Sequence, residues 1–234
     1  MNIPTGLTHI EMLEALAAKT REESIPVEME QQTELKMIGT SLSALYQAAT
    51  CHRKCHGGPH ILEALSGRAY NLGVSAYLLI ARGFYDEALN LVRSLGEISN
   101  LIAFSVVDKA GLRDWLSSDK KTRMKKFSPA QIRRTLERQG RGLMLADDDW
   151  YSRFCETYTH VTPETKPNVH NDAGLPYVGG VYQEAGLRNS LGELATALGV
   201  IALMVSKYVD REDIFDELSG IVDSAEQSAA TDGI

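Results

Sequence analysis

The sequence predicts an all-α protein: a bundle of four to five long helices with short peripheral helices and one long irregular segment. Three observations carry this expectation. Apolar residues recur at steps of three and four over long windows, the period of a helix buried on one face. Strand and helix patterns do not alternate, which sets aside doubly wound and barrel enzyme folds. The 234 residues are 44% apolar and 24% charged, ordinary globular usage, so a sizeable core is available.

In chain order, 8–19 reads as an opening helix with Leu13 and Leu16 on its buried side. Residues 22–32 are acidic, carry Pro26 and read as a linker. Leu35, Ile38, Leu42, Leu45 and Ala49 form the stripe of an amphipathic helix that continues to about His56 and stops at Gly57-Gly58-Pro59. Leu62, Leu65, Ala69, Leu72, Ala76 and Leu79 mark a helix that is apolar on more than one side, with Gly73, Ala76 and Ala81 permitting close approach. Gly83 ends it. Phe84, Ala88, Leu91, Leu95, Ile98 and Ile102 mark the next helix, to about Val107. So short a link makes these two an antiparallel hairpin at the bundle centre.

Ser128 and Pro129 read as N-cap and first position of a helix over 130–139. Asp147 or Asp148 caps another, over about 150–160. Residues 161–186 hold Pro163, Pro167, Pro176 and Gly179-Gly180 and form the irregular segment, with a hairpin signal over 175–182. Leu187, Leu191, Leu194, Leu198, Ile201, Val205 and Tyr208 then give the clearest helical stripe, followed by a short acidic helix over 213–222 and a tail after Ala225. The organisation expected is an N-terminal helix and linker (1–32), one bundle domain (33–227) and a flexible tail (228–234).

A net charge of −7 argues against a chain-wide nucleic-acid footprint. The first ten residues lack a basic and then apolar leader, and apolar runs fall short of the about 20 residues of a membrane span. Three cysteines in a chain of this length read as reduced thiols. The expectation is a cytoplasmic protein.

Four constellations can carry chemistry. Cys51 and Cys55, and His52 and His56, are two i, i+4 pairs, each able to offer two ligands to zinc. The pairs are rotated by about 100° on one helix, so they cannot close on a single ion; a polar helix end is the plainer reading, and no metal or other cofactor is expected. Arg93 and Glu97 lie at i and i+4 inside an apolar helix. They read as a structural ion pair or as partners of a buried polar group elsewhere.

Arg153 and His160 are seven residues apart, two turns of a regular helix, with Tyr151, Glu156 and Tyr158 near. A histidine that manages protons beside a guanidinium that binds phosphate is what metal-independent RNA cleavage needs. The alternative is a histidine capping a helix end before Pro163. Finally, Lys120, Lys121, Arg123, Lys125, Lys126, Arg133, Arg134, Arg138 and Arg141 stand in the stretch 108–142, whose net charge is +7 and which leaves −14 for the remainder. This asymmetry is the footprint of a phosphate-backbone contact or, equally, a solvated face balancing acidic neighbours.

Gly83-Phe84-Tyr85-Asp86-Glu87-Ala88, then Leu91-Val92-Arg93-Ser94-Leu95-Gly96-Glu97, and much later Tyr151 and His160, resemble an uncharacterised family of bacterial helical proteins that is itself similar to HEPN (higher eukaryotes and prokaryotes nucleotide-binding) bundles. The resemblance spans roughly 65–160. It implies a dimeric ribonuclease of the toxin or phage-defence type, with Arg153 and His160 as its Arg…His pair, an RNA substrate, a homodimer and possible pairing with a partner protein such as an antitoxin. Phe154 stands where active members often carry a polar residue. The competing expectation is a non-catalytic bundle that scaffolds or regulates a partner protein.

Overall fold

The computed structural model describes residues 5–50, 60–139 and 145–232. Among them are ten α-helices, one π-helical turn and no strand: α1 (Leu7–Glu30), α2 (Gln32–Ala49), α3 (Ile61–Ile80), α4 (Tyr85–Val107), α5 (Lys109–Ser117), α6 (Lys120–Lys126), α7 (Pro129–Arg138), α8 (Asp148–Phe154), the π-helical turn Cys155–Thr159, α9 (Glu184–Tyr208) and α10 (Glu212–Asp232). The all-α expectation holds.

Helices α2, α3, α4 and α9 enclose the core. Gly67 of α3 meets Ala49 of α2, and Gly73 meets Leu42, so α2 and α3 run antiparallel. The turn at 81–84 reverses the chain into α4, giving the hairpin expected from the sequence. Residues 146–170 then descend alongside α4 in the opposite sense: Ala146 bonds Asn100, Tyr151 bonds Arg93 and Glu97, Thr159 bonds Asn90, and Asn168 and His170 bond Asp86. Helix α9 therefore starts at the same end as α4, with Gly186 against the Tyr85 ring, and rises parallel to it. Helix α10 turns back along α2, with Glu217 bonded to Thr40.

Leu45, Leu89, Leu95, Leu187, Leu191, Leu194 and Leu198 are completely buried in this core. Each such side chain contributes about 1.5–3 kcal/mol by leaving water. Helix α9 is long and apolar enough to cross a membrane by composition, but 67% of that stretch is buried among the other helices, as in a core helix.

Several boundaries differ from the sequence reading. The 22–32 stretch is not a linker: α1 continues through Pro26 to Glu30. Its second half is held by side chains, since Arg21 donates to both Ser24 and Glu28 at 2.9 and 2.7 Å, and Ser24, Val27 and Glu28 are buried. The first half is less covered; Leu13 and Leu16, expected to be buried, are 40% and 46% exposed. Residues 109–126, for which the sequence reading predicts no element, form α5 and α6, each started by an aspartate that accepts from a backbone amide at 2.7 Å: Asp108 from Gly111, and Asp119 from Thr122. The hairpin signal at 175–182 forms no strand, and α10 extends helically past 222 to Asp232. Cys51, His52, Cys55, His56 and Arg141 lie outside the described residues.

Candidate functional site

The i, i+4 spacing of Arg93 and Glu97 places both on the flank of α4 that receives α8. Gly96, between them in that face, lets the Trp150 ring lie against the helix; a Cβ there would sit 2.7 Å from it. Trp150 stacks on Phe154 at 4.0 Å, and its indole donates to Glu193 at 3.2 Å. Asp147 starts α8 by accepting from the Trp150 amide at 2.8 Å. Asn100 fixes the approach to α8 through both faces of its amide, donating to the Ala146 carbonyl at 2.7 Å and accepting from the Ala146 amide at 3.3 Å.

This docking delivers Tyr151 to the Arg93–Glu97 pair. Arg93 Nη1 donates to Glu97 Oε1 at 2.7 Å and to the Tyr151 hydroxyl at 2.6 Å, and that hydroxyl donates to Glu97 Oε1 at 2.8 Å. Burial, then the Glu97 carboxylate it bonds, push the Tyr151 phenol up to about 12, against a smaller lowering by Arg93. Burial opposes the charge on Arg93, but Glu97 and Tyr151 outweigh it and raise its pKa. Arg93 is therefore a cation and Tyr151 a neutral phenol at physiological pH, an arrangement suited to holding and recognising rather than to proton transfer by tyrosine. The expectation of a structural polar pair at Arg93 and Glu97 needs a third member, Tyr151.

Arg133 joins from α7. The Ser128-Pro129 start turns Ile132, Arg133 and Leu136 inward. Arg133 is 6% exposed, its Nε donates to Asp148 at 2.6 Å, and its guanidinium carbon lies 4.1 Å from the Tyr151 ring centre. Its Nη1 is buried without a hydrogen-bond partner. The sequence grouped Arg133 with the solvent-facing cations; the structure turns it into the interior because it follows Ile132 on the apolar edge of α7. Between α4, α5, α7 and α8 lies a cavity of about 220 Å³, lined by Glu97, Asn100, Leu101, Trp115, Phe127, Pro129, Ile132, Arg133 and Tyr151.

The remaining basic residues behave as a surface. Lys120, Lys121, Lys125, Lys126 and Arg134 are exposed, and none forms an ion pair among the described residues. Arg123 is half-buried and donates to the Ser118 carbonyl.

Arg153 and His160 are placed differently from the regular two-turn spacing. The helix changes to a π-helical turn at Cys155, closed by the His160 amide donating to the Cys155 carbonyl at 2.8 Å. A wider turn rotates each residue less, so seven residues no longer return to the same face. Arg153 donates to Glu193 at 2.9 Å and lies 4.9 Å from the Phe154 ring centre. The His160 side chain is exposed and makes no hydrogen bond among the described residues.

A second pair escaped the sequence reading. His170 bonds Asp86 at 2.8 Å, and Asp86 also accepts from the Asn168 amide at 2.7 Å, pinning the irregular segment to the start of α4. A lone histidine in a Pro- and Gly-rich stretch gives no spacing signal. Among the described residues, no group of three or more His, Cys, Asp or Glu side chains could hold a metal ion. No family model, curated protein or solved structure matches the chain.

Proposed function

We propose that this protein binds single-stranded RNA through the α5–α7 lobe. The observation that carries the reading is the set of five exposed cations, Lys120, Lys121, Lys125, Lys126 and Arg134, that form no ion pair among the described residues of a chain with net charge −7. If these cations served to balance acidic neighbours, they would be paired with them. Unpaired cations concentrated on two short helices instead suit a phosphate backbone, whose binding releases counterions.

The test is fluorescence anisotropy with labelled single-stranded RNA over a salt series, comparing the wild type with Lys125→Glu/Lys126→Glu. The wild type binds, and the double variant binds more weakly with a flatter slope of log affinity against log salt, by about 0.7 for each phosphate it no longer neutralises. Equal affinity and slope in the two proteins would reject the reading.

Metal-independent RNA cleavage by Arg153 and His160, which the HEPN resemblance implies, is the extension of this proposal. Two features favour it: the exposed, unbonded His160 ring, and its position at the exit of a π-helical turn, a feature frequent at functional sites. In the absence of divalent metal, His160→Ala abolishes cleavage and Arg153→Ala costs about 10²–10³ in rate if the pair acts this way. Cleavage that survives in both variants, or that requires magnesium, excludes the pair. If the wild type neither binds nor cuts RNA, a scaffold role takes precedence, with the exposed Leu7, Ile10, Leu13 and Leu16 of α1 as its contact surface.

A further inference from the structure

We infer that the cavity beneath the basic lobe is a pocket for one RNA base, and that its preferred base is guanine. This rests on the RNA-binding reading above and adds to it a specificity site built from residues other than the surface cations.

The cavity volume, about 220 Å³, is below the roughly 300 Å³ at which sites for drug-sized molecules begin, so it suits a single ring system. Its lining includes Trp115 from α5 and Phe127 from the α6–α7 junction, aromatic side chains of the kind on which bases stack. Its polar end combines one acceptor and one donor on either side of Tyr151. Glu97 Oε1 already takes both bonds of the triad, which leaves Oε2 for a ligand. Arg133 spends only Nε on a protein acceptor and lines the cavity, so its guanidinium is the donor at this end.

The ligand must therefore offer donors to a carboxylate and acceptors to a guanidinium from one flat ring. Guanine does so twice over, with N1–H and N2–H as adjacent donors and O6 and N7 as adjacent acceptors. Adenine, cytosine and uracil each satisfy fewer of these positions. The position of the pocket in the chain links it to the phosphate surface. Phe127 directly follows Lys125 and Lys126, and Arg134 directly follows Arg133, so the cations and the cavity lining are neighbours along the chain.

The protein has two tryptophans, and Trp115 lines the cavity while Trp150 packs beside it. Tryptophan fluorescence of the full chain is titrated with 5′-GMP, AMP, CMP and UMP, and RNA affinity is measured in parallel for oligonucleotides with and without guanine. GMP is expected to quench with an affinity on the order of tenfold to a hundredfold above the other nucleotides. Trp115→Phe removes most of the quenching. Glu97→Gln, checked for an unchanged helical spectrum, reduces the preference for GMP. Phe127→Ala weakens GMP binding without touching the Arg93–Glu97–Tyr151 triad and serves if Glu97→Gln fails to fold.

RNA binding without GMP quenching and without a guanine preference overturns the pocket and leaves the RNA reading intact. GMP quenching without RNA binding supports the pocket as a free-nucleotide site and defeats the RNA reading. Absence of both defeats both.

Discussion

Tyr151 ties two distant stretches of chain through one hydroxyl, which accepts from Arg93 and donates to Glu97. Tyr151→Phe leaves the half-buried Arg93 with Glu97 as its main partner and Glu97 with one donor fewer. The expected loss is about 1–3 kcal/mol of unfolding free energy in a urea titration, the usual cost of removing one partner from a buried polar group. The same phenol and that of Tyr85 make the fold alkali-sensitive. Burial is the first cause at both, and each native pKa is pushed up to about 12 from an ordinary 10.0. The unfolded chain therefore releases these protons at lower pH than the native one. Their contribution is complete below about pH 10 and is lost as pH rises to about 12. The melting temperature should fall across that window, with tyrosinate absorbance rising in step, and fall less steeply in Tyr151→Phe; a flat melting temperature there would contradict the assignment. At this scale the sequence was legible only where partners are close in the chain. The Arg93–Glu97 spacing announces itself, whereas Tyr151 is 54 positions from Glu97. Charge counting placed Arg133 on the surface because it does not register burial.

Among the elements, the helices with broad apolar stripes were readable: α2, α3, α4 and α9 lie where the periodicity puts them, although α2 ends at Ala49, with Thr50 in extended backbone, and not near His56 as expected. Elements held by other means were not. The second half of α1 depends on the Arg21–Ser24–Glu28 cluster rather than on a stripe, and Pro26 disguised it as a linker. Helices α5 and α6 are too short for a long stripe, and each starts at an aspartate cap. Phe154 and Tyr158 pack edge to face across the π-helical turn, at 5.4 Å between ring centres, and no local pattern signals the turn. The α3–α4 turn shows what a single position can hold. Gly83 has φ of 76°, and a Cβ there would lie 2.6 Å from the Val181 backbone nitrogen. Gly83→Ala meets both the left-handed backbone and the neighbouring backbone of the irregular segment. It should cost about 1–3 kcal/mol from backbone strain alone, with the clash added. Thermal unfolding within error of the wild type would show that the turn and the segment are not packed in this way.

At the scale of the molecule, α2, α4 and α9 run one way and α3, the 146–170 stretch and α10 run the other. The fold thus alternates direction even where the returning element is largely irregular. That return stretch brings α8 against α4, and the basic lobe of α5–α7 closes over the junction. The result places exposed cations, a small aromatic cavity and the Arg93–Glu97–Tyr151 triad on one side of an otherwise acidic bundle. RNA bound on this side would cover the lobe and leave the opposite helices open to solvent. Amide hydrogen exchange of the full chain, with and without single-stranded RNA, distinguishes the two faces. Slowed exchange is expected over α5, α6, α7 and the start of α8, with α2, α3 and α10 unchanged. Protection confined to α1, α2 or α10, or no change anywhere at saturating RNA, would contradict binding at the lobe.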